Sequence, residues 1–88
     1  MPRYIVERNV GTLSNEEWDA AGRRFNGVIA NMDGIVWIRS YISHAEGKVY
    51  CEYDAPSRET VIEASRRAGM PIHHISEIDL EISPSMFM

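Results

Sequence analysis

IVWIRSYISHAEGKVYCEYDAP, residues 35–56, reads as a β-hairpin. Two runs rich in β-branched and aromatic residues flank the polar turn His44-Ala45-Glu46-Gly47. Such side chains suit a pleated, half-buried surface, and a short polar stretch ending in glycine reverses the chain between them. With Ala45 and Glu46 as the two turn residues, Ser43 falls opposite Lys48, Tyr41 opposite Tyr50 and Arg39 opposite Glu52. On the other face Ile42 meets Val49, Ser40 meets Cys51 and Ile38 meets Tyr53. This register predicts a mostly apolar face of Val36, Ile38, Ile42, Val49, Cys51 and Tyr53, which calls for helices on it. It predicts a second, amphipathic face of Trp37, Arg39, Tyr41, Tyr50, Glu52 and Asp54. A slip of one residue would exchange the faces of one strand, because side chains alternate with a period of two.

The flanking sequence supplies what covers the first face. Arg3 to Val10 alternates like a strand, with Tyr4, Val6 and Val10 on one side and Ile5, Glu7 and Asn9 on the other. Ser14 followed by Glu17 is a capping-box pattern, and Trp18, Ala21, Phe25, Val28, Ile29 and Met32 then recur at helical spacing. Gly22 and Gly27 weaken that helix, and Asp33-Gly34 ends it. After the hairpin, Ser57 caps a second helix whose inner face is Val61, Ile62, Ala64, Ser65 and Ala68. Gly69 stops it in a left-handed conformation and Pro71 prevents its continuation. His74 to Ile82 alternates again, and the tail SPSMFM shows no period. Strand, helix, strand, strand, helix, strand predicts an α+β, ferredoxin-like βαββαβ domain over residues 1–88: a four-stranded antiparallel sheet with two helices on one face.

Composition removes several classes of function. A net charge of −4 without a clustered basic surface argues against nucleic acid. One cysteine, Cys51, precludes an internal disulfide and suits a reducing compartment. No apolar run approaches a membrane span, and the N-terminal MPRYIVERN lacks the apolar core of a secretory signal, so a cytoplasmic protein is expected. There is no glycine-rich phosphate loop and no nucleophile elbow.

The face away from the helices is where function is expected. It should carry Ile5, Glu7, Asn9, Trp37, Arg39, Tyr41, Tyr50, Glu52, Ile75 and Glu77. Apolar area left in water forfeits roughly 25 cal/mol per Å², so exposed aromatics in a group mark an interface or a ligand site. The expected partner is a second copy, sheet face against sheet face, enclosing a cavity lined by Glu7, Trp37, Arg39, Tyr41, Tyr50 and Glu52. Arg39 and Glu52 make either a simple cross-strand ion pair or part of a polar site in which Arg39 holds an anion and the carboxylates hold a cation or move a proton. His44, His73 and His74 are the candidate metal ligands, since imidazole binds nickel, zinc and copper. His73 and His74 are adjacent, so within a strand they point to opposite faces. Cys51 reads either as a buried structural thiol or, if accessible, as a soft metal ligand or reactive thiol.

Val6-Glu7-Arg8, Trp37-Ile38-Arg39-Ser40-Tyr41, Tyr50-Cys51-Glu52-Tyr53 with Ala55-Pro56, and Gly69-Met70-Pro71 together resemble the small bacterial nickel-binding-like domains. The resemblance implies a ferredoxin-like subunit of a dimeric α/β barrel that binds nickel or another divalent metal ion. It carries Glu7, Arg39, Tyr41, Cys51 and Glu52 as family pattern without assigning any of them as a ligand. Because the same barrel type hosts small oxygenases and isomerases, the alternative is an enzyme. There Trp37, Tyr41 and Tyr50 would stack on an aromatic or lactone-like molecule, Arg39 would anchor it and Glu7 or Glu52 would move a proton. A module that only dimerises is the third reading.

Overall fold

In the computed structural model, which describes residues 1–88, the elements run β1 (Arg3–Asn9), α1 (Asn15–Ile29), β2 (Val36–Ser43), β3 (Lys48–Asp54), α2 (Arg58–Arg67) and β4 (His74–Ile78). A turn of 3-10 helix, Pro84–Phe87, follows. The strands form one antiparallel sheet in the order β2-β3-β1-β4. This is the ferredoxin-like arrangement that the order of elements predicts. No helix is long and apolar enough to cross a membrane.

Local chemistry sets the helix ends where the sequence marks them. Ser14 Oγ accepts from the Glu17 N–H at 3.1 Å, and Glu17 Oε1 accepts from the Ser14 N–H at 2.8 Å. Two amides that a helix leaves without partners are thereby satisfied, an effect of about 1 kcal/mol. Ser57 Oγ caps α2 through the Thr60 N–H at 3.2 Å. At the other end Gly69 adopts φ 67°. Its N–H reaches Arg66 O at 3.1 Å while Met70 N–H reaches Ser65 O at 2.9 Å. These two bonds satisfy carbonyls of the last turn and close the helix.

Both helices pack on one face of the sheet. Tyr4, Val6, Val49, Cys51, Tyr53 and Ile75 rise from the strands to meet Phe25 of α1 and Val61 and Ala64 of α2. Phe25 stacks on Tyr53 with ring centroids 5.3 Å apart. Burial of each large apolar side chain here contributes about 1.5–3 kcal/mol. Arg24 of α1 donates from Nε to Ala68 O at 2.6 Å and ties α1 to the end of α2.

The hairpin keeps the predicted register from Arg39↔Glu52 through Ser43↔Lys48 and departs from it before that point. A bulge between Trp37 and Arg39 leaves Ile38 without a partner, so Trp37, not Ile38, stands opposite Tyr53, and Val36 opposite Asp54. One extra residue reverses the faces of everything N-terminal to it. Val36 and Trp37 therefore exchange the sides expected of them. Trp37 turns under the helices, edge-on to Phe25 at 5.7 Å between centroids. Val36 is exposed on the open side.

Three further expectations change at β4. It ends at Ile78, not Ile82, because Ile78 pairs with Arg3, the first residue of β1, and the ladder has no strand partner beyond that point. Ile75 pairs with Val6 and is buried in the core rather than open. Glu77 pairs with Tyr4 and accepts from its hydroxyl at 3.3 Å, on the helix side. Past the strand, Leu80, Ile82, Met86 and Phe87 are exposed.

The hairpin tip crosses the exit of β1 at close range. Gly47 O accepts from the N–H groups of Val10 at 2.9 Å and Gly11 at 3.0 Å. Gly47 and Gly11 both have positive φ, 65° and 71°. A Cβ on Gly47 would lie 2.9 Å from Gly11 Cα, inside the contact distance. Only glycine at position 47 permits this crossing.

Candidate functional site

Alternation along the strands places Arg3, Ile5 and Glu7 of β1, Arg39 and Tyr41 of β2, Lys48, Tyr50, Glu52 and Asp54 of β3, and His74, Ser76 and Ile78 of β4 on the open face. These side chains fall into two charged groups with aromatic residues between them.

The first group surrounds Glu52. Its Oε2 lies 3.2 Å from Arg3 Nη1 and its Oε1 3.6 Å from Arg39 Nε. Arg3 also reaches Asp54 Oδ1 at 3.1 Å and Glu81 Oε1 at 3.4 Å. The Arg39–Glu52 cross-strand pair is thus present, but Arg3, which the sequence reading left out, shares the carboxylate. The bond to Asp54 raises the Arg3 pKa above its ordinary value. Tyr41 pairs with Tyr50 in the middle of the face and is 58% exposed.

The second group surrounds Glu7. Lys48 Nζ lies 3.4 Å from Glu7 Oε2, and His73 Nε2 lies 3.7 Å from the same oxygen. His74 stands directly across from Glu7 in the β1–β4 ladder. The Glu7 carboxylate raises the Lys48 pKa, so the ammonium stays charged as the resident cation of this group. His73 precedes β4, so the alternation of neighbours within a strand does not govern it; its N–H donates to Glu7 O at 2.8 Å and its ring lies near the Glu7 carboxylate. His44 lies in the exposed hairpin turn, separated from the other two histidines by β3 and β1.

The sheet therefore brings His73 and His74 to Glu7 and leaves His44 apart. No three histidine, cysteine, aspartate or glutamate side chains gather as a metal-holding group, so one chain alone does not offer a full coordination set. Cys51 is buried on the helix side opposite Ser40 and is a packed thiol remote from the open face.

Trp37 is the member of the expected open cavity that the structure removes. Its indole N–H donates to Ser40 Oγ at 2.9 Å. With Trp18 and Phe25 of α1 it lines a cavity of about 150 Å³ on the opposite side of the sheet. Arg8 lines this cavity too and is fully buried. Parity with Tyr4 and Val6 was the signal for that placement.

Residues 4–78 match the family described as nickel responsive protein, SCO4226-like. The crystal structure of SCO4226 from Streptomyces coelicolor A3(2) superposes with a TM-score of 0.82 at 20% identity, over 91% of this chain and 99% of that one. At that identity the likeness speaks to the fold. No curated protein matches the chain.

Proposed function

The chain belongs to the SCO4226-like nickel-responsive protein family, and from that premise we propose that it is a small cytoplasmic binding protein for a divalent metal ion, nickel first. Its ligands would be Glu7, His73 and His74. The observation that carries this reading is the approach of His73 Nε2 to Glu7 Oε2 at 3.7 Å, with His74 across the ladder from the same residue. A carboxylate beside one imidazole is a donor pair suited to nickel or zinc, and on one chain it is only part of a coordination set.

The reading needs a second copy. Two-fold pairing through the open faces would bring another Glu7, His73 and His74 to complete the coordination shell, and would cover Tyr41 and Val36, which are exposed on one chain. Lys48 opposes the metal, since its ammonium already neutralises Glu7. Binding would displace it.

Calorimetric titration of the metal-free protein with nickel tests the proposal, alongside its mass in solution. Glu7→Gln should abolish the heat of binding. Lys48→Met should strengthen binding, because it removes the competing cation. A monomer that takes up no nickel, or a Glu7→Gln variant that binds as tightly as the parent, would refute the assignment.

A further inference from the structure

We propose that the cavity between α1 and the β2–β3 hairpin is a binding site for a small neutral apolar molecule, about the size of one six-membered ring. It lies across the sheet from the metal reading and does not depend on it.

The first observation is the chemistry of the walls. Phe25 and Val49 are buried in the lining, and Trp18, Trp37 and Ile42 complete its apolar part. The surface open to an occupant is almost wholly apolar. The polar side chains around it are engaged or sealed away. Ser40 Oγ accepts from the Trp37 indole N–H at 2.9 Å, and Tyr53 Oη accepts from Arg8 Nη2 at 2.9 Å. Arg8 Nε and Trp18 Nε1 are covered by protein and offer nothing to an occupant. A resident water needs several polar partners, which these walls do not supply. A charged or strongly polar molecule would lose its hydration on entry and gain no partner in return. At about 150 Å³ the cavity has the volume at which an apolar-walled space stays dry and takes up benzene. Ile42 is 44% exposed, so the cavity opens to solvent at that rim.

The second observation is that the chain leaves this space unfilled where it could fill it. Gly22 lines the cavity from within α1, where glycine is a poor helix former. Its backbone is helical, so no left-handed turn requires glycine there. A Cβ at this position would meet only Trp37 Cη2, at 3.6 Å, an ordinary contact distance. Alanine would therefore fit the empty protein and suit the helix better. The omitted methyl group keeps room over the Trp37 ring, and that room is what the apolar body of an occupant would use.

The chain has two tryptophans, Trp18 and Trp37, and both line the cavity, so tryptophan fluorescence reads its occupancy. The thermal midpoint reads it independently, since a ligand bound only by the folded state raises it. Benzene is titrated against pyrazine, the same ring with nitrogen at two opposite corners, so that one nitrogen must always enter. Benzene should give a saturable change and raise the midpoint. Pyrazine should bind more weakly by about tenfold or more, because the buried nitrogen loses water without gaining a donor. Gly22→Leu, which fills the cavity with a good helix former, should abolish both benzene responses. Gly22→Ala should weaken benzene binding while raising the midpoint of the empty protein by about 4–8 °C. The proposal is overturned by a benzene titration that does not saturate, by pyrazine binding as tightly as benzene, or by a folded Gly22→Leu variant that keeps the parent affinity. Where Gly22→Leu does not fold, Gly22→Ala takes its place, and an unchanged benzene affinity there overturns the proposal equally.

Discussion

Arg3 and Arg8 stand on the same strand, on opposite faces, and the sheet treats them in opposite ways. Arg3 lies at the half-exposed edge of the open face and meets three carboxylates, Glu52, Asp54 and Glu81. Arg8 is sealed under the helices and meets none among its three hydrogen-bond acceptors. The open face balances its charges locally, in a medium where water would have solvated them anyway. The covered face keeps an uncompensated cation where solvation is withheld. An ion-paired surface of the first kind adds little to stability and is free to exchange its partners for a metal or a second chain. A lone interior charge of the second kind is costly to desolvate, and here three hydrogen bonds offset part of that cost.

The contrast can be broken most severely from the covered side. Phe25→Ala removes the ring that stacks on Tyr53 and abuts Trp37, and should lower the unfolding free energy by about 3–5 kcal/mol in a urea titration. For the single chain, at a concentration where it is monomeric, Tyr41→Ala on the open face should change it by no more than about 0.5 kcal/mol. The sharper test is Arg8→Met. If the buried guanidinium is a burden on the empty protein, this variant should be as stable as the parent or more so, by up to about 1–4 kcal/mol. A large loss would mean that the three hydrogen bonds outweigh the desolvation. Arg3→Ala should destabilise only slightly, and the difference from the parent should shrink as salt is added, because exposed pairs are screened.

The smallest effect lies on α2, off both faces. Hydrogen bonds from Arg66 and Arg67 hold Glu63 at about 2, below its ordinary 4.5. A carboxylate whose folded pKa is depressed stabilises the fold fully above the unfolded value, and the contribution fades as pH falls from about 4.5 toward about 2. Glu63→Gln should flatten the acid limb of a stability–pH profile in that window, and leave the profile near neutrality parallel to that of the parent.

Much of this was legible from residue patterns. The caps at Ser14 and Ser57, the stop at Gly69 and the register from Arg39 to Ser43 rest on local rules, which hold because the groups concerned are near in sequence. The bulge at Ile38 was not legible. Val36, Trp37 and Ile38 are all apolar, so polarity does not say which of them faces inward; the decision belongs to Phe25, which Trp37 meets edge-on. Arg8 was half legible. Its parity with Tyr4 and Val6 puts it inside, but its partners Tyr53, Ser65 and Pro71 come from distant parts of the chain. At the open face the three histidines were visible as chemistry, whereas the separation of His44 from the other two follows from the strand order. Arg3 went unread because its partner Asp54 emerges only once β1 and β3 are aligned.

The crossing of Gly47 over Gly11 has a bearing on how the chain finds its pairing. A shift of β3 by one residue along β1 would carry Lys48 or Glu46 into a gap that excludes even a methyl group. The two glycines thus act as a steric key. They proofread the alignment of the central strands, and with it the inside-or-outside fate of every side chain those strands carry.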